Sequence, residues 1–260
     1  MRLTLLSSVI STVLVASAGF SASAQAEDQW YFGGEVGGAW QGDQPGFWQS
    51  PGPGDPRITY DVNADATVAG FISVGRTIMD GVRADVSLGI LGDQDVQANW
   101  VSPLPSIAGG KPNDHANIAT SVSAISGMFN VSVEPLAMTG NTGRIQPFVT
   151  AGIGVANVRM DSWTRTNLAT INPPARPVRS FEGNDSTNFA WTIGAGVSID
   201  MTETVKRPVY LDLAYRYVDF GNVSGGGTPL PGNGAGDPIE PFNFDFTSHI
   251  VTVGLRFPFN

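Results

Sequence analysis

The sequence predicts an all-β fold, an eight-stranded antiparallel up-and-down transmembrane β-barrel. Three observations support this prediction: apolar residues recur at every second position in eight segments, long and short connections alternate between these segments, and the second face of the segments carries small residues instead of lysines. Alternation with a period of two is the pattern of a strand whose two faces meet different surroundings. The eight segments are Gln29–Gln41, Ala64–Arg76, Gly81–Leu91, Asn117–Val133, Arg144–Arg159, Thr187–Asp200, Pro208–Gly221 and Phe246–Phe259.

Residues 1–26 are predicted to be a cleaved signal peptide that precedes the fold. Arg2 supplies a positive charge, the stretch from Leu3 to Phe20 is mostly apolar and small, and residues 24–26 read Ala-Gln-Ala, a small-x-small cleavage site. Residues 27–260 would then form a single barrel domain. After residue 26 no apolar run approaches the roughly 20 residues that a membrane-spanning helix needs. A closed barrel is the other way to cross a membrane, because closure pairs every backbone group between strands.

The composition of the two faces indicates which face is inside. In the last segment one face reads Val251, Val253, Leu255, Phe257 and Phe259, and the other carries Ser248, Thr252, Gly254 and Arg256. The edges and wet faces of soluble sheets usually carry lysine, yet Lys111 and Lys206 both lie outside the eight segments. A small and weakly charged face suits a narrow lumen, so the apolar face is predicted to meet lipid.

The connections alternate in length, which predicts the orientation of the barrel. The long connections are 42–63, 92–116, 160–186 and 222–245, and the short ones are 77–80, 134–143 and 201–207. Outer-membrane barrels have short periplasmic turns and long external loops. The long connections are therefore predicted to be external loops without regular structure, and both chain ends are predicted to lie on the periplasmic side.

Aromatic residues fall near both ends of the predicted strands. Trp30, Phe32, Phe257 and Phe259 would lie at the periplasmic end, and Trp40, Trp191, Tyr215 and Tyr217 toward the external end. Aromatic girdles at both lipid–water boundaries are expected of a membrane barrel. Ordinary core aromatics are the alternative, because any β-protein is rich in them.

Six charged residues share the parity of the inward face. They are Glu35, Arg83, Asp85, Asp212, Arg216 and Arg256. Isolated buried charges are costly, so the acids and the arginines are predicted to pair, with Asp212, Arg216 and Arg256 in one network. An ion path and a packed polar plug are both compatible with this set. The small diameter of an eight-stranded barrel favours the plug.

No catalytic, cofactor-binding or metal-binding set emerges from the sequence. His115 lies in a long connection, and His249 lies near the external end of the last strand, where it would sit at the membrane boundary. Ser248 and His249 are adjacent, so they point to opposite faces and do not form the nucleophile and base of a hydrolase. With 23 acidic against 14 basic residues, nucleic acid is excluded as a partner. A protease-type alternative rests on four loop aspartates: Asp43, Asp55, Asp114 and Asp185.

The C-terminal segment and several strands carry a family resemblance. Residues 249–259 resemble the terminal signal that the outer-membrane assembly machinery recognises. Its alternate positions are filled by Val251, Val253, Leu255, Phe257 and Phe259, and Asn260 departs from the pattern by following the final aromatic. Residues 30–34, 146–156, 189–197 and 211–221 resemble opacity-protein-like and Omp25/Omp31-like surface barrels of Gram-negative bacteria, within the OmpA-like transmembrane barrel superfamily.

This resemblance implies an eight-stranded barrel in the cell outer membrane of a Gram-negative bacterium, without shared catalytic residues. The expected function is that of a non-enzymatic surface protein, which supports envelope integrity and presents long loops for adhesion or as a surface antigen. A narrow or gated porin-like pore for small solutes and a soluble secreted β-protein are the alternatives. The expected partners are outer-membrane lipids and lipopolysaccharide, the assembly machinery, and host or environmental surface ligands at the loops.

Overall fold

The computed structural model describes residues 29–52, 54–101, 116–140, 143–167, 178–232 and 236–259. In chain order the strands are β1 (Trp30–Trp40), β2 (Gln44–Gln49), β3 (Arg57–Ala64), β4 (Thr67–Met79), β5 (Val82–Val101), β6 (Ala116–Val133), β7 (Ile145–Met160), β8 (Trp163–Asn167), β9 (Arg179–Phe181), β10 (Asn184–Asp200), β11 (Tyr210–Ser224) and β12 (Glu240–Phe259). One-turn helices α1 (Pro135–Met138) and α2 (Thr202–Val205) follow β6 and β10. Neither of these described helices has the length and apolar character needed to cross a membrane. The predicted signal peptide, residues 1–26, lies outside the described residues.

Eight of the strands form a closed ring. Antiparallel pairings lead from β1 through β4, β5, β6, β7, β10 and β11 to β12, and β12 pairs again with β1. The closing seam runs in unbroken register from Trp30 opposite Phe259 to Trp40 opposite His249. The eight predicted segments correspond to these eight strands, in the up-and-down order. The prediction of an eight-stranded antiparallel barrel is confirmed.

The two faces of the ring strands are oriented as predicted. On β12 the side chains of Val251 and Leu255 are 49% and 43% exposed on the outer surface, whereas Thr252 and Arg256 are 3% and 9% exposed and point inward. On β7 the outward residues are apolar from Ile145 to Val155, a run of roughly eleven residues, and a membrane-spanning strand needs about 9–11. The outer surface of the ring therefore carries an apolar belt of the height that a bilayer requires.

The long connections are not without regular structure, and this part of the sequence prediction is wrong. The first contains β2 and β3, and the third contains β8 and β9. β5 continues past its predicted end at Leu91 to Val101. There it pairs with β3, while β8 pairs with β6 and β2 pairs with β12. These additions extend the wall of the barrel beyond the apolar belt and form what we term the external cap: β2, β3, β8, β9 and the outer ends of β5, β6, β11 and β12.

The external cap forms because its strands bury alternate apolar residues inside the barrel. Ile58, Tyr60 and Val62 on β3 point inward with the same period of two that marks the ring strands. Trp163 stacks on Phe181 with ring centroids 4.1 Å apart. The remaining large inward residues of this apolar core include Trp48, Val96, Trp100, Ile118, Val158, Met160, Phe220, Phe242, Phe244 and Phe246. Removal of this much apolar surface from water is the main force that holds the cap together.

An ion pair on the outside of the external cap joins β3 to the start of β12. Arg57 Nε and Nη2 donate to the two carboxylate oxygens of Glu240 at 2.5 and 2.6 Å. These hydrogen bonds lower the pKa of Glu240 and raise the pKa of Arg57. The pair is exposed to solvent, so its contribution to stability is small. Its effect is to fix the cap hairpin β2–β3 against the strand that closes the ring.

The outward orientation of β12 predicts a large effect for one substitution. Leu255→Arg should lower the free energy of unfolding by about 2–4 kcal/mol, because a charged side chain would then face the lipid layer. Thr252→Ser is the matched control on the inward face, since serine keeps the hydroxyl that donates to Glu35. Denaturant unfolding from lipid vesicles measures both variants. Equal stabilities for Leu255→Arg and the unsubstituted protein would contradict the orientation.

Candidate functional site

The six charged residues selected from the sequence all line one cavity in the lumen, at the level of the apolar belt. Glu35 lies on β1, Arg83 and Asp85 on β5, Asp212 and Arg216 on β11, and Arg256 on β12. Their side chains, with serines, threonines and asparagine around them, leave about 50 Å³ of free space. A volume of this size holds a few water molecules at most.

Two guanidinium–carboxylate pairs dominate the lumen. Arg216 Nη1 and Nη2 donate to the two oxygens of Glu35 at 2.6 and 2.7 Å. Arg256 Nε and Nη2 donate to Asp212 at 3.0 and 3.3 Å, and Nη2 also donates to Ser198 at 2.6 Å. The predicted network of Asp212, Arg216 and Arg256 is therefore only partly formed. Asp212 pairs with Arg256, whereas Arg216 pairs with Glu35 and not with Asp212. Bidentate pairs of this kind are the strongest ionic contacts that side chains make.

The remaining charges of the lumen are held by neutral donors and by a fourth acid. Asp85 accepts hydrogen bonds from the hydroxyl of Tyr31 at 3.0 Å and from the amide of Asn130 at 2.8 Å. Arg83 pairs with Glu134, which also lies 3.8 Å from Arg256. Among the described residues the lumen therefore contains four carboxylates and three guanidinium groups, and the contact between Glu134 and Arg256 links strands on opposite sides of the ring.

Sequence reasoning missed Glu134, which it assigned to a periplasmic connection. The residue directly follows β6, where Ser132 points inward, so it continues the inward parity of that strand by one more step. Its backbone N–H donates to the carbonyl of Gly81 at 2.7 Å, which holds it beside the start of β5 and Arg83. Gly81 has φ +74, and a Cβ there would lie 2.7 Å from the Glu134 carbonyl oxygen. If the alternation of inward residues on β6 had been continued two residues beyond Ser132, it would have predicted that Glu134 points into the lumen.

The lumen arginines are also packed against aromatic rings. The guanidinium carbon of Arg216 lies 5.4 Å from the ring centre of Phe71, that of Arg83 lies 4.7 Å from Phe148, and that of Arg256 lies 4.5 Å from Tyr210. Cation–π contacts of this length favour the charged form of arginine. They also fill the space between the ion pairs, which leaves the lumen packed by its own side chains.

The aromatic girdles predicted from the sequence lie on the outer surface at both ends of the belt. Trp30, Phe32, Phe257 and Phe259 are exposed at the end of the ring that is predicted to be periplasmic. At the external end His249 lies among Trp40, Tyr215 and Tyr217, and its Nδ1 is 2.7 Å from the Tyr215 hydroxyl. The alternative of ordinary core aromatics does not hold for these residues. Most of the buried aromatic rings among the described residues belong instead to the external cap, and Tyr31 and Phe148 are buried in the lumen.

The other residues considered for chemistry are not brought together. Asp43, Asp55 and Asp185 share no hydrogen bond or ion pair in the described part of the chain. Asp114 and His115 lie outside it. Within the described ranges no group of three histidine, cysteine or acidic side chains is placed to hold a metal ion. The arrangement in the lumen is suited to packing and charge neutralisation.

Comparison with known proteins agrees with the geometry of the ring. Residues 12–257 match the family model of the outer membrane protein beta-barrel domain. An uncharacterized protein of Brucella suis is 30% identical over 251 residues, which cover 88% of this chain and 84% of that protein. A protein of Rickettsia bellii named "Putative adhesin" is 25% identical over 256 residues and 98% of both chains.

Two solved structures share the fold at low sequence identity. The outer membrane protein OprG of Pseudomonas aeruginosa superposes with a TM-score of 0.51 at 12% identity, over 88% of this chain and 96% of that one. The outer membrane protease OmpT of Escherichia coli also gives a TM-score of 0.51, at 8% identity over 92% and 99% of the two chains. At these identities the similarity concerns the barrel fold alone.

The pairing seen in the lumen predicts which double-mutant cycles show coupling. Asp212→Ala and Arg256→Ala should couple by about 1–3 kcal/mol, because removal of one partner leaves the other charge confined without its counter-ion. The matched cycle combines Asp212→Ala with Arg216→Ala, whose side chains do not pair, and should show a clearly smaller coupling. Denaturant unfolding from vesicles measures both cycles. A larger coupling in the second cycle would show that the observed pairing is wrong.

Proposed function

Because the chain belongs to the outer membrane protein beta-barrel domain family, we propose that it acts as a non-enzymatic surface barrel, which presents a folded external cap to the surroundings and adds to the integrity of the envelope. The observation that supports this proposal most directly is the filled interior. Paired charges occupy the lumen at the level of the belt, and an apolar core occupies the barrel above it. A protein with both layers filled offers its outer surface, not its interior, to other molecules.

The porin-like alternative requires a continuous water path through the barrel. Among the described residues, two successive layers of side chains block such a path. Phe242, Phe244 and Phe246 point inward from β12 and are completely buried. An ion that passed them would lose its hydration shell against apolar rings, at a large cost in free energy. Below them, the ion would meet the Glu35–Arg216 pair in a space for a few waters. These two layers act in series, so the opening of one would leave the other closed.

The external cap is the part that we propose to contact other cells or surfaces. Strands, in contrast to free loops, hold its outer residues in fixed positions, which lowers the entropy lost on binding. The relative in Rickettsia bellii named "Putative adhesin" aligns over 98% of both chains, which supports an adhesive role. We further propose that residues 1–26 direct export, that lipopolysaccharide surrounds the external girdle, and that the assembly machinery reads the alternate residues from Val251 to Phe259.

A conductance measurement tests this proposal against the pore. The protein, inserted into planar lipid bilayers, should give no stable channel openings, and the variant Arg216→Ala should be equally silent because the apolar core remains intact. Heat-modifiable migration on a gel verifies that both samples are folded. Stable openings of the unsubstituted protein that disappear in Arg216→Ala would contradict the proposal and favour an ion path through the lumen.

Orientation can be tested by cysteine labelling, since the natural chain has no cysteine. Asp237→Cys is exposed in the connection that precedes β12, and Glu203→Cys is exposed on α2 at the opposite end. A membrane-impermeant maleimide added to intact cells should label the first variant only. Disruption of the outer membrane should make the second reactive, which is the internal control. Labelling of Glu203→Cys alone on intact cells would show that the barrel is inserted the other way.

A further inference from the structure

The external cap contains a buried guanidinium that has no carboxylate partner among the described residues. Arg165 points inward from β8 and is 6% exposed. Its Nε donates to the hydroxyl of Tyr60 at 3.1 Å, and its Nη1 donates to the side-chain oxygen of Asn167 at 2.6 Å. Arginine carries five N–H donors and stays charged in proteins. Within the described part of the chain these two hydrogen bonds leave three N–H donors unused, and no carboxylate balances the positive charge.

The surroundings hold this charge in place but do not neutralise it. The guanidinium carbon lies 4.6 Å from the ring centre of Trp48 and 5.8 Å from that of Trp100. Such cation–π contacts stabilise a desolvated cation, but by less than an isolated buried charge costs. Burial raises the pKa of Tyr60 even beside Arg165, so this hydroxyl stays neutral. By contrast, Arg83, Arg216 and Arg256 in the lumen each have an acid within reach.

A second unused donor lies next to this arginine. The indole Nε1–H of Trp48 is buried and meets no hydrogen-bond acceptor in the residues that the structure describes. A buried donor without a partner destabilises the folded protein, and native proteins contain few of them. The guanidinium of Arg165 lacks a negative counter-ion, and the indole of Trp48 lacks an oxygen acceptor. An oxyanion could supply the charge to the first group and the acceptor to the second.

The position of these residues shows from which side such an anion would arrive. Trp48, Trp100 and Asn167 each lie within the last two residues of their strands, at the outermost edge of the external cap. Between them and the lumen lies the apolar core. A ligand would therefore reach them from the external end of the barrel.

We propose that Arg165 and Trp48 form the anchor of a binding site for a carboxylate, borne by an acidic sugar such as a uronic acid at the end of a glycan. A carboxylate is flat and presents two oxygens, which matches the planar fork of the guanidinium that contacts both rings. Phosphate is the competing oxyanion, and its tetrahedral shape distinguishes it from the flat carboxylate. This inference rests on the proposed surface function and gives it a ligand class.

Tryptophan fluorescence of the full-length mature barrel in lipid nanodiscs tests the proposal, because Trp48 and Trp100 flank the site. Sodium glucuronate should change the fluorescence saturably, glucose should not, and glucose 6-phosphate should act more weakly at equal ionic strength. Arg165→Gln should raise the midpoint by about tenfold or more, as expected for the loss of a charged hydrogen bond. Trp48→Phe keeps the ring but removes the N–H, and should raise the midpoint by a smaller factor.

The control variant is Arg159→Gln, which removes an external arginine that is already paired with Asp161 and should leave the midpoint unchanged. No saturable response to glucuronate, or the same midpoint in Arg165→Gln, would overturn the proposal, as would a response to glucose 6-phosphate of equal strength. If Arg165→Gln does not fold, the glucuronate titration of Trp48→Phe becomes the deciding measurement. An unchanged midpoint in Trp48→Phe would overturn the proposed role of the indole. Binding by the purified protein is independent of its orientation in cells, so failure here is distinguishable from failure of the labelling experiment.

Discussion

The closure of the ring by β1 and β12 is the constraint on which the rest of the structure depends. Lipid offers no hydrogen bonds, so an open edge at the level of the belt would leave a row of backbone groups without partners. The seam is tight as well as continuous, because a Cβ at Gly37 would lie 1.8 Å from the carbonyl oxygen of Val251. Once eight strands close, the lumen is narrow, and small residues and paired charges are what fits inside it.

At one place on the seam, the pairing of β1 with β12 also brings a buried carboxylate to its counter-ion. Glu35 on β1 accepts a hydrogen bond from Thr252 on β12 and pairs with Arg216 on β11. Gly254 lies opposite both Glu35 and Asp212, and a side chain there would collide with Glu35. The carboxylate therefore reaches its partner only when the first and last strands are in register. A register slip would cost backbone bonds and a buried ion pair together.

The ring strands could be predicted from the sequence because each has an outward apolar face of membrane length. The external cap could not, because its signals are short or out of phase. In β5 the register shifts between Leu91 and Gln94, so the inward residues change from odd to even numbers and the simple alternation is interrupted. β2 contains Pro45 and Gly46, which are typical of loops, so the sequence of this segment does not predict a strand. Likewise, parity predicts that Arg216 points inward, but not that its partner is Glu35, which lies far away in sequence.

Hydrogen–deuterium exchange in lipid vesicles can show whether one closed ring is filled from the lumen to the tip of its external cap. Amides of β3 and β8 should exchange as slowly as those at the β1–β12 seam, because each strand is paired and covers the same apolar core. Complete exchange of β3 and β8 at the earliest times, with the seam still protected, would contradict it. The long connections would then be open loops above a bare barrel.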